Sequence, residues 1–123
     1  MLLVDTSVWI EHFRRGRPDL AESLSEGVVL MHPWVSGELA CGNLKDRAEV
    51  LSDLDTLPLA KLATDSEVLH LIEHQKLWGR GLGWVDVHLL ASALISHCRF
   101  WTLDRRLQQA AGELGLGLPG AGA

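Results

Sequence analysis

The chain has 123 residues, 47% of them hydrophobic and 22% charged, and a formal net charge of −5. That length fits one domain with one core, and that composition excludes a disordered chain. The acidic balance excludes a protein that coats nucleic acid by bulk charge. It leaves room for a nuclease, because carboxylates reserved for a cation count as negative until the cation binds.

Leu2 to Val4 reads as a short buried strand, closed by Asp5. Thr6 or Ser7 can cap the helix that follows, with Val8, Trp9, Ile10 and Phe13 as its apolar contacts. Gly16 and Pro18 break the chain, and Pro18 opens a second helix at its first turn. Val28 to Met31 is a second strand candidate. Pro33 opens a helix through about Ala40 that carries Glu38. Lys45 to Leu54 has helical apolar spacing. Leu57 to Leu62 is a possible further strand.

Thr64-Asp65-Ser66-Glu67 has the pattern of a capping box, for a helix expected to reach Trp78. Trp84 to Ser96 is apolar nearly all round, as in a helix buried mid-domain, with Asp86 in its first turn. Arg99 to Leu103 is the next strand, and Asp104 to Leu114 the last helix. Gly115 to Leu118 is a possible edge strand. The expectation is one α/β domain over residues 1–118, with a frayed tail over 119–123. Strands alternating with helices imply a parallel sheet covered on both faces.

Four acids stand where such a fold gathers ligands. Asp5 and Asp104 end apolar strands, so both point toward the crevice at the carboxyl edge of the sheet. Asp86 starts the buried helix leading into the Asp104 strand, and Glu38 joins them if its helix begins at the same edge. Taken singly, each acid has a plainer use: Asp5 and Asp104 as helix caps, Glu38 as a surface charge, Asp86 as a first-turn anion. Together they repel one another unless a cation intervenes. An all-oxygen set suits Mg²⁺ or Mn²⁺, and such an ion supports hydrolysis of a phosphodiester by water. Thr6, Ser7 and Thr102 lie beside the acids as hydroxyls able to orient carboxylates or waters. Arg14, Arg15, Arg105 and Arg106 are candidate contacts to substrate phosphates.

Four segments resemble the PIN-domain family, most closely the VapC-type toxins of bacterial toxin–antitoxin pairs. Leu3-Val4-Asp5-Thr6-Ser7-Val8-Trp9-Ile10 is similar to the first motif. Pro33 to Gly42 is similar to the helix with the family's glutamate, Gly83 to Ala93 to the third motif, and Thr102-Leu103-Asp104 to the fourth. The resemblance implies a PIN-like α/β/α sandwich with a central parallel sheet of four to five strands. It implies a Mg²⁺- or Mn²⁺-dependent endoribonuclease in which Asp5, Glu38, Asp86 and Asp104 hold the ion and activate water. It also implies an RNA substrate, a homodimer, and a small cognate antitoxin that blocks the groove. Where the family often has an aromatic residue after the last motif, this chain has Arg105, Arg106 and Leu107.

The alternative of another class is a catalytically inactive PIN-like module that only binds a partner. A zinc site at His70 and His74 has the i, i+4 spacing but no evident third ligand. Cys41 and Cys98 read as buried free thiols of a reducing compartment. The five tryptophans read as core or dimer packing, with base stacking as the lesser use. No signal peptide or membrane span is expected, which places the protein in the cytoplasm.

Overall fold

Three short parallel strands form the centre of the computed structural model, which describes residues 1–118. The expected tail over 119–123 lies outside the described residues. Strand β1 (Leu2–Val4) is flanked by β2 (Val29–Leu30) and β3 (Arg99–Trp101), in the order β2-β1-β3. Leu3 pairs with Leu30 on one side and Phe100 on the other. Successive strand residues face opposite sides of a sheet. All three residues of β1 are buried, so both faces are covered. This is why the sequence there is an unbroken apolar run rather than an alternating one.

The α/β class matches the expectation, but the sheet is narrower than the four to five strands anticipated. The Leu57–Leu62 segment contributes one isolated parallel bridge, Leu59 with Met31. Pro58, beside it, has no N–H to extend a ladder. Gly115–Leu118 lends the Leu116 carbonyl to the Phe100 N–H at 2.8 Å and forms no strand. Gly115 is left-handed there (φ 76°), which a strand does not tolerate.

The helices are α1 (Thr6–Arg15), α2 (Pro18–Ser25), α3 (Pro33–Cys41), α4 (Arg47–Leu54), α5 (Asp65–Gln75), α6 (Trp84–Ile95) and α7 (Arg105–Glu113). Proline opens α2 and α3, where its missing N–H costs nothing. The Thr64/Glu67 capping box opens α5. That helix stops at Gln75, short of Trp78, because Lys76 turns left-handed (φ 54°). Helix α6 is buried without interruption from Val87 to Ala93 and forms the spine of the core. Cys98 is buried as expected, whereas Cys41, at the last turn of α3, is exposed. Among the described residues no helix is long and apolar enough to cross a membrane.

With β1 in the middle, the chain leaves it toward β2 and returns on its other side at β3. In open α/β sheets the crevice outside the strand ends at such a reversal is where ligands bind. Here that crevice is bounded by the carboxyl ends of β1 and β3, which are followed by Asp5 and Thr102.

Candidate acidic active site

Asp5 follows β1 and occupies the N-cap position of α1, yet its side chain makes no capping bond. Neither Thr6 nor Ser7 serves as that cap. The Asp5 carboxylate turns instead across the sheet edge. Its Oδ2 accepts from the Ser7 hydroxyl at 2.7 Å and from the Thr102 hydroxyl at 2.8 Å. The Ser7 Oγ in turn accepts the Leu103 N–H at 3.0 Å, and the Thr102 Oγ1 accepts the Asp104 N–H at 3.1 Å. Asp5 is 7% exposed. A carboxylate this buried needs such donors, each worth about 1.5–3 kcal/mol to a charged acceptor.

The other three acids are each tied on one oxygen. Asp104 is exposed and caps α7, its Oδ1 accepting the Leu107 N–H at 3.0 Å, so its plainer use is real. The Asp86 Oδ2 accepts the Gly83 N–H at 2.8 Å in the first turn of α6. Glu38, on α3, has Oε1 held by the Thr6 hydroxyl at 2.8 Å, which pins α3 to the start of α1. The second oxygen of each of the four acids accepts no hydrogen bond among the described residues. All three hydroxyl residues singled out in the sequence, Thr6, Ser7 and Thr102, make side-chain bonds within this set.

Asp5, Asp86 and Asp104 share one electrostatic neighbourhood. Burial pushes the Asp86 carboxyl above its ordinary range, the Gly83 N–H partly offsets this, and the negative charges of Asp5 and Asp104 add to the rise. Among the described residues, however, no three His, Cys, Asp or Glu side chains stand close enough to cage one ion. The same holds for His70 and His74, which stack at 5.0 Å without a third ligand. The physical reason at the acidic crevice is local. Asp86 and Asp104 are turned back onto backbone N–H groups, and like charges spread apart. The donor set still suits a hard cation. Mg²⁺ takes one or two carboxylates directly and keeps several waters, so carboxylates that each keep one oxygen free suit it.

The arginines divide into two groups. Arg105 and Arg106 are exposed directly after Asp104 and line a cleft of about 880 Å³ that also takes in Thr102. Arg14 and Arg15 sit at the other end of α1, about 13 Å along its axis from Asp5, and Arg15 faces Glu11. They are not gathered with the acids. The tryptophans also divide: Trp9 and Trp101 are buried, while Trp34, Trp78 and Trp84 are exposed. The sequence reading passed over Asp65, which bonds the Nε2 of buried His88 at 3.0 Å beside Trp34 and Trp84. No local sequence signal joins Asp65 to His88, which stand 23 positions apart.

A parallel sheet with an acidic crevice at its switch point defines a class that family comparison makes specific. A model of the PIN domain matches residues 2–113, and the chain belongs to that family. It is 48% identical over 119 residues to a protein named Ribonuclease VapC32 from Mycobacterium tuberculosis. The match covers 96% of this chain and 96% of the relative, and the same figures hold for strains CDC 1551 / Oshkosh and ATCC 25618 / H37Rv.

The raised Asp86 carboxyl has a consequence for stability. Its favourable contribution is intact below the unfolded-state value and is lost as pH rises through the folded-state value, so ionised Asp86 opposes folding at neutral pH. Asp86→Asn keeps an acceptor for the Gly83 N–H and removes the charge. In metal-free buffer the variant is expected to melt above the unsubstituted protein at about pH 7, with the gap closing toward about pH 4. A variant that melts lower at neutral pH would contradict the electrostatic account.

Proposed function

We propose that this chain is a metal-dependent endoribonuclease that hydrolyses RNA phosphodiester bonds and acts as the toxin of a toxin–antitoxin pair. The observation that carries the reading is the buried Asp5 carboxylate at the carboxyl edge of the sheet, held by the Ser7 and Thr102 hydroxyls, with Thr102 also accepting the Asp104 N–H. The close similarity to a protein named as a ribonuclease supports it.

Asp5, Glu38, Asp86 and Asp104 would hold Mg²⁺ or Mn²⁺. When bound, the ion supplies polarisation of a phosphoryl oxygen and a water of lowered pKa. The chain supplies position. Ser7 and Thr102 fix the Oδ2 of Asp5, so its remaining oxygen has a set direction. Thr6 does the same for Glu38. Such outer partners orient ligands before the ion arrives. Arg105 and Arg106 would meet substrate phosphates along the cleft beside Thr102. Arg14 and Arg15, farther off, would meet phosphates only of a longer RNA. We further assign a homodimer, a small antitoxin that covers the acidic crevice, and a cytoplasmic site of action. The functional unit spans residues 1–118.

Two measurements test this reading. Cleavage of RNA with Mg²⁺ or Mn²⁺ is expected for the unsubstituted protein, with Asp5→Asn reducing kcat/KM by about 100-fold or more. Full activity in that variant would remove Asp5 from the catalytic machinery, and absence of cleavage by the unsubstituted protein would return the chain to a binding module. Reversing Arg105 and Arg106 to Glu is expected to weaken RNA binding and flatten its salt dependence, with each lost phosphate contact removing about 0.7 from the logarithmic slope on single-stranded RNA. An unchanged slope would remove both residues from the interface.

A further inference from the structure

Beside the acids lies a second feature that metal chemistry leaves unused. Trp34, His32 and His88 form an aromatic cluster between α3 and α6. The Trp34 and His88 ring centroids are 4.2 Å apart, Trp84 stands edge-on to His88 at 4.8 Å, and His32 meets Trp34 edge-on at 6.1 Å. His32, Trp34 and His88 line a cavity of about 340 Å³ together with Pro33, Ala63 and Asp65. That is the small end of the range for ligand cavities.

The cluster adjoins the acids through the helices that carry both. Trp34 and Glu38 are one turn apart on the same face of α3, about 6 Å between their Cβ atoms. Asp86 lies on α6 between Trp84 and His88 in sequence. Trp34 is 37% exposed, so part of its ring is open to a visitor.

His32 supplies the polar element. It is 3% exposed, and its Nδ1 accepts the Trp34 N–H at 3.1 Å. In the neutral ring that leaves the proton on Nε2. Burial and the neighbouring His88 lower its pKa to about 4, so the ring is neutral near pH 7. Nε2 is buried without a hydrogen-bond partner among the described residues. A buried N–H with no acceptor is costly and suggests a group that arrives with the ligand.

We propose that this cavity takes a nucleobase of the RNA substrate, stacked on Trp34 and hydrogen-bonded through a carbonyl oxygen to the His32 Nε2–H. The proposal rests on the ribonuclease reading above for the identity of the substrate. It assigns base selection to residues separate from the carboxylates. Uracil, cytosine and guanine carry the required carbonyl, and adenine does not.

The test is binding in EDTA, read as fluorescence anisotropy of labelled octamers of uridine, of adenosine and of an abasic ribose phosphate. All three carry the same phosphates, so repulsion from the acids cancels in the ratios. The unsubstituted protein is expected to bind the uridine octamer about tenfold or more above the abasic one. Trp34→Ala should remove that preference and Trp34→Phe should keep most of it. His32→Phe should erase the preference for uridine over adenosine. Equal affinity of the unsubstituted protein for the uridine and abasic octamers, or an undiminished preference in Trp34→Ala, would overturn the proposal. Retained discrimination against adenosine in His32→Phe would overturn the role given to His32. Cleavage with Mn²⁺ reads the nuclease assignment independently, so either can fail alone.

Discussion

The Asp5 carboxylate, almost sealed from solvent, is held by two hydroxyls from different parts of the chain. Ser7 comes from the helix after β1 and Thr102 from the end of β3, 97 positions beyond Asp5. Because Thr102 also receives the Asp104 N–H and Ser7 the Leu103 N–H, the same knot sets where the last acid begins its helix. The parallel pairing of β1 with β3 makes this contact possible, since Val4 opposite Trp101 brings the two strand ends level. Loss of that register would separate Asp5 from Thr102 and leave a buried charge with only the local Ser7 donor.

Around this knot, local structure and the requirements of the site pull in different directions. Asp104 stabilises α7 by capping it, and Asp86 accepts an N–H at the start of α6, where the helix dipole favours an anion. Those contacts steady the carboxylates but turn them from a common centre. The Asp86 carboxyl is raised chiefly by its burial, and the neighbouring charges of Asp5 and Asp104 add to the rise. Shifts of this kind concentrate at functional sites.

Much of this was legible in the sequence, because the strongest signals are local. The apolar runs ending in Asp5 and Asp104, the prolines at the starts of α2 and α3, and the Thr64 capping box all act within a few residues. The width of the sheet was not legible. Leu57–Leu62 and Gly115–Leu118 have apolar content, but a strand also needs a partner with free N–H and C=O groups in register. Pro58 and the left-handed Gly115 interrupt that need. Apolar context also misplaced Cys41, whose helix turns that residue to solvent. For the acids, order along the chain indicated a shared edge but not orientation. Whether Asp5 caps its helix or crosses to Thr102 depends on a contact between residues far apart in sequence. The pairing of His88 with Asp65 was hidden for the same reason.

On the proposed reading, the acidic crevice takes a cation whose occupancy would relieve repulsion among carboxylates already steered by their own hydrogen bonds. Titration of the metal-free protein with Mn²⁺, followed by electron paramagnetic resonance, addresses this directly. Saturable binding at submillimolar to millimolar concentration is expected, with its loss in Asp5→Asn while that variant stays folded. Absence of saturable binding throughout the millimolar range, or unchanged binding in Asp5→Asn, would contradict it.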